Sequence, residues 1–108
     1  MKNQKKRGMI MSNVEYWDLE DYLEEIKFLM TEYDELTEEI ILAWEDKTRK
    51  WVDNNIDGKN IRKRREDEIL VIVKDENVFW DMALKYHNYY RKGQEDEYWN
   101  DFSLIKAY

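Results

Sequence analysis

The sequence contains no cysteine and no proline, and only three glycines and one histidine in 108 residues. Without thiols there is no disulfide, no cysteine nucleophile and no zinc–thiolate site, and the chain suits a reducing bacterial cytoplasm. Without proline and with so little glycine, turn chemistry is scarce, which favours a few long helices. His87, near Tyr86 and Tyr89, has no second histidine or cysteine with which to anchor a common transition-metal site. It reads as a hydrogen-bonded helix residue. No apolar run approaches the ~20 residues of a membrane span, and no signal-peptide pattern is present. A glycine-rich phosphate loop, GxSxG and HExxH are all missing. No catalytic residue, metal or cofactor is assigned, and no enzymatic activity is expected.

What the chain does have is periodicity. Tyr16, Leu19, Leu23, Ile26, Met30, Tyr33, Ile40, Trp44 and Trp51 recur in alternating steps of three and four, interrupted only by Thr37 and Lys47. That is a heptad register, the pattern of a long amphipathic helix that needs a helical partner. Ser12-Asn13-Val14-Glu15 reads as a capping box, with Met11 and Tyr16 as a hydrophobic staple. A first helix over about 12–54 would be about 60 Å long at ~1.5 Å per residue. A kink near Asp34–Thr37 would leave its register intact.

Asn54 to Asn60 is the clearest break in the chain, and a second helix is expected over about 60–92, stopped by Gly93. Ile69-Leu70-Val71-Ile72-Val73 is β-branched and apolar on every side. Alone it could be a strand. No other segment offers it an evident partner, so it is assigned to this helix. A short third helix follows over about 95–107. The expected fold is therefore all-α: a long antiparallel, coiled-coil-like helical hairpin completed by a C-terminal helix as a three-helix bundle. Residues 12–108 would form one domain behind a flexible basic tail, 1–11. In that tail Lys5-Lys6-Arg7-Gly8 can be encoded like a ribosome-binding site, which points to translation starting at Met9 or Met11. The apolar stripe and the 69–73 block exceed what the third helix covers, so a homodimer is expected.

The net charge of −7 conceals a segregation: residues 12–46 are net −12, 47–65 net +6 and 66–108 net −5. In the heptad register ten acids fall on the outward face: Asp18, Asp21, Glu24, Glu25, Glu32, Glu35, Glu38, Glu39, Glu45 and Asp46. They would span about 42 Å, one charge per ~4 Å, against one phosphate per ~3.4 Å on a DNA strand. Phe28 and Leu42 interrupt that face as binding hot spots do. A solvated helix face, or one covered by the third helix, accounts for the same pattern. The bases Lys47, Arg49, Lys50, Lys59, Arg62, Lys63, Arg64 and Arg65 would gather at the hairpin tip, to grip nucleic acid or to meet the acids of an antiparallel copy. Five of them at a helix start oppose its dipole and need a reason of their own.

Glu32-x-x-Glu35 followed by Glu38-Glu39 resembles the first half of the signature of MazG-type nucleotide pyrophosphohydrolases, which bind Mg²⁺ with acids on facing helices. That resemblance implies a second Glu-x-x-Asp. Here Glu66, Asp67 and Glu68 are followed three residues on by Ile69, Leu70 and Val71, so the metal would lack its second ligand pair. The abundance of Lys, Asn, Ile, Tyr and Glu suggests AT-rich coding, as in low-GC bacteria and their phages. Acidity, small size, surplus aromatics and missing catalytic residues together point to a phage or mobile-element inhibitor or adaptor. Its partner would be a basic nucleic-acid-handling protein of the restriction or CRISPR nuclease type, met by a DNA-mimicking acidic face. The alternative is a nucleic-acid-binding or self-assembling protein acting through the basic tip.

Overall fold

The computed structural model describes residues 10–11, 14–56, 61–65 and 67–102. Its elements are β1 (Ile10–Met11), β2 (Val14–Asp18), α1 (Leu19–Met30), α2 (Glu38–Asp53), β3 (Ile61–Arg65), β4 (Glu68–Val73), α3 (Asn77–Arg91) and α4 (Glu95–Asp101). The fold is mixed, four helices with an antiparallel sheet in the order β1-β2-β4-β3. The all-α, coiled-coil hairpin expected from periodicity is not formed. Ser12 and Asn13, the basic tail over 1–9, the turn over 57–60 with Lys59, and the end of the third helix over 103–107 lie outside the described residues. Val14, Glu15 and Tyr16 of the expected capping box and staple lie in β2, so no helix starts there and the first begins at Leu19.

The block over 69–73 overturns the hairpin. As β4 it lies between two partners, with Tyr16 opposite Ile72 and Trp17 opposite Val71 on one side. On the other, Ile61 stands opposite Val71 and Arg62 opposite Leu70. A β-branched run buried between neighbours is what a central strand requires. Side chains alternate as the pleat dictates: Trp17, Val71, Val73 and Ile61 are buried in the core, while Tyr16, Leu70 and Ile72 stay half-buried on the opposite face. Both partners are short. Val14–Asp18 alternates like a strand but continues into a heptad pattern, and Ile61–Arg65 shows only one apolar residue.

The expected first helix is divided. After the strand β2 the chain enters α1, which ends where Thr31 Oγ1 donates to the Phe28 carbonyl at 2.6 Å. Thr37 then starts α2 as its N-cap, its hydroxyl accepting from the Ile40 amide at 3.3 Å, with Glu38 and Glu39 in the first turn. A capped threonine followed by two acids favours a new helix start over a continued one. The residue that broke the heptad run is the one that begins the second helix.

The core forms where α1 and α3 pack on the sheet and α4 closes against α2 and α3. Trp44 on α2 and Tyr98 on α4 are both fully buried, and the indole Nε1 donates to the Tyr98 hydroxyl at 3.1 Å. Tyr86, Trp99 and Phe102 surround Tyr98 at ring separations of 4.9, 4.8 and 5.5 Å. Much of the aromatic surplus is thus spent inside. Gly93, at φ +70°, turns the chain from α3 into α4 in the left-handed conformation that glycine adopts without strain.

Candidate functional site: the groove between α1 and α2

Helix α1 runs between its two neighbours. At 100° per residue, Leu19, Leu23, Ile26 and Met30 face inward. Glu20 and Lys27 point to the α2 flank, where Arg49 meets Glu20 in a bidentate pair at 2.7 Å and Lys27 meets Glu45 at 2.8 Å. Glu25 and Leu29 point to the α3 flank, where they border Phe79 and Trp80. The outward ridge of α1 carries Glu24 and Phe28.

Outside the ion pairs, α1 and α2 splay apart and leave a groove of about 850 Å³. Its apolar floor is Phe28, Leu36, Ile41 and Leu42, and Glu24, Glu25 and Glu38 stand on its rim with Thr31 and Lys27. Leu36 and Ile41 are buried, whereas Phe28 is 63% and Leu42 49% exposed. Large apolar side chains left in water at the lip of a concave surface are what a binding site presents. Lys27 does not cancel the rim charge, because its ammonium is already committed to Glu45.

The pairs that brace the groove are electrostatically consistent. Bidentate bonding to Arg49 holds the Glu20 carboxyl below its ordinary range, against a smaller opposing effect of burial. At Glu45 partial burial pushes upward, but hydrogen bonds from Lys27 and Arg49 outweigh it and the net shift is down. The two carboxylates in turn hold the Arg49 guanidinium well above its usual value. Asp18, at the end of β2, is raised instead: burial is the first cause, and Asp21, Glu20 and Glu68 add repulsion.

The structure gathers five of the twelve residues expected on the acidic face, Glu24, Glu25, Phe28, Glu38 and Leu42, around one groove. The other seven do not join them. Asp18 belongs to the sheet, and Asp21 lies further up α1. Glu32 and Glu35 sit in the connection between the helices, where Glu35 bonds His87 Nε2 on α3. Glu39 and Asp46 are on the outer side of α2, Asp46 paired with Lys50, and Glu45 is turned into the Lys27–Arg49 network. No single 42 Å row of charge exists, because the rod that would carry it is two helices and a strand. The match to DNA phosphate spacing goes with it.

The basic tip is dispersed as well. Lys47 pairs with Glu95 and lies over the Trp99 ring, Arg49 with Glu20 and Glu45, and Lys50 with Asp46. Arg62, Lys63, Arg64 and Arg65 line the edge strand β3, where Arg64 and Arg65 share Glu68. The dipole conflict disappears, since these residues start a strand and not a helix.

Sequence reasoning missed the groove floor at Leu36 and Ile41, and missed Trp80 and Leu84, which are 50% and 45% exposed on α3. The signal for the first was the Thr37 cap. Among the described residues no three His, Asp or Glu side chains converge as metal ligands, and no helix is long and apolar enough to cross a membrane. In comparison with known proteins, the chain matches no family model, no curated protein and no solved structure.

Proposed function

We propose that the protein acts by binding, without catalysis, and that the α1–α2 groove seats a basic amphipathic helix of a partner protein. The observation that carries this is the exposure of Phe28 and Leu42 at the mouth of an apolar groove rimmed by Glu24, Glu25 and Glu38. Apolar anchors in the groove supply affinity, and the carboxylates select cations and speed encounter. A second copy meeting the same face is disfavoured, since a two-fold interface would set these acids against themselves. For the 69–73 block, β2 and β3 pair its backbone on both edges, while Leu70 and Ile72 stay half-buried on the outer face of the sheet. Basic helices of this kind are common on nucleic-acid-handling proteins, so an inhibitor or adaptor of a nuclease, working in a bacterial cytoplasm, falls within the proposal.

The test uses an 18-residue helical Leu–Lys peptide with one apolar face, and a same-composition peptide with that face dispersed, both fluorescein-labelled. Anisotropy should show the amphipathic peptide binding at least tenfold tighter than its control, weakening as salt rises. Phe28→Asp should weaken it at least tenfold with an unchanged circular dichroism spectrum. Equal binding of the two peptides, or no loss with Phe28→Asp, overturns the proposal.

A further inference from the structure

The outer face of the helical layer does not end at Phe28. Glu25, on the rim of the first groove, also borders a second concavity of about 270 Å³ between α1 and α3, together with Leu29, Phe79 and Trp80. Among the described residues the exposed large apolar side chains are Leu42, Phe28, Trp80 and Leu84. They fall one on α2, one on the outward ridge of α1, and two on α3 one turn apart. Glu76 contributes a second carboxylate to the α3 side. Two acid-edged concavities thus flank α1, the larger apolar one toward α2 and a smaller one toward α3 whose apolar wall is Leu29, Phe79 and Trp80, with Leu84 one turn beyond it.

The geometry points to a partner that fills both: a basic helical hairpin, one helix seated on Phe28 and Leu42 and its neighbour on Trp80 and Leu84. The spacing fits, because grooves on either side of one helix are about 10 Å apart and antiparallel helices pack at about 8–10 Å. The charge fits, because each groove offers carboxylates to a lysine- or arginine-bearing helix. Tethering makes the second contact intramolecular, so it multiplies affinity instead of adding a separate weak site. This inference rests on the groove proposed above and extends it to the class of partner.

The probe is a hairpin of two amphipathic Leu–Lys helices joined by a short loop, compared with the single helix. The hairpin should bind at least tenfold tighter. Trp80→Ala should bring its affinity down to that of the single helix and leave the single helix unaffected. Leu84→Gln, at a more peripheral position, should reproduce the effect in part, which separates lost contact from lost fold. Trp80 is the exposed one of the five tryptophans. Acrylamide quenching should therefore fall when the hairpin binds and stay unchanged with the single helix. If Trp80→Ala leaves hairpin affinity unaltered while Phe28→Asp abolishes binding, the second groove is not used and the first stands. If Phe28→Asp has no effect on either probe, both fall.

Discussion

Lys27 Nζ lies 2.8 Å from Glu45 Oε1, and through Arg49 the same carboxylate is linked back to Glu20, so four residues tie α1 to α2. Lys27 is the lone base among residues 12–46. It holds the groove walls at a fixed separation, and side-chain exposures of 25% and 14% leave its pair with Glu45 little screened. Lys27→Met should cost about 1 kcal/mol, more than a fully exposed pair and less than a dry one. Urea denaturation followed by circular dichroism measures this.

The same network makes stability fall in acid. Glu20 and Glu45 titrate lower in the folded chain than their ordinary value of 4.5. Their contribution is therefore complete above that value and lost as pH drops through the depressed folded values. Thermal melts should show wild type losing more stability below about pH 4.5 than an Arg49→Met/Lys27→Met variant. Parallel curves would assign the acid sensitivity elsewhere.

Tyr98→Phe tests the buried centre. It removes the acceptor of the Trp44 indole N–H, and both rings are buried beyond the reach of a replacing water. An orphaned buried donor costs about 1–3 kcal/mol, which lowers the melting temperature of a chain this size by at least several degrees. A double-mutant cycle with Trp44→Phe should return a coupling of about 1 kcal/mol.

How far the sequence could be read is clearest at three places. Gly93 and the start of the last helix at Glu95 were visible because a positive-φ glycine is a local requirement. The apolar 69–73 block looked like a strand in isolation but lacked an evident partner. Its neighbours are a five-residue strand hidden at the head of a heptad run and an edge strand with four consecutive cations. Strand pairing is a long-range property, and neither partner carries the usual β-branched composition. The third place is Thr37. A threonine followed by two glutamates is a helix start, yet the heptad count continued through it, because helices meeting at a turn can preserve phase by accident. Five acidic-face residues converge on the groove because the Glu24–Phe28 and Glu38–Leu42 spacings are local, and local spacings survive a wrong topology.

Hydrogen exchange distinguishes the two topologies directly. The β4 amides, central in the sheet, should be among the slowest to exchange, with those of β3 faster. Val71→Ala should cost about 2–3 kcal/mol, since Val71 is fully buried between Trp17 and Ile61. A continuous helix over about 60–92 would instead protect the amides of 61–65 and of 69–73 alike.

The cations of β3 have a structural duty that can be tested apart from any partner. β3 ends the sheet, so its outer row of N–H and C=O groups has no strand beside it in the sheet order. An edge of this kind recruits other chains unless charge or irregularity prevents it. Both devices are present: exposed Arg62, Lys63, Arg64 and Arg65, and a register shift between Lys63 and Arg65. Arg64 and Arg65 share the single carboxylate of Glu68, so the strand keeps an excess of positive charge and a second β3 edge would bring like charge against like. Replacing Arg62 and Arg64 with Thr and Lys63 with Val keeps strand propensity and removes the repulsion. Sedimentation velocity of this variant should become markedly more concentration-dependent than that of wild type, and added salt should shift wild type in the same direction by screening the charge. If the variant sediments as wild type does at every concentration, the bulge alone guards the edge, and the four cations are left needing another role.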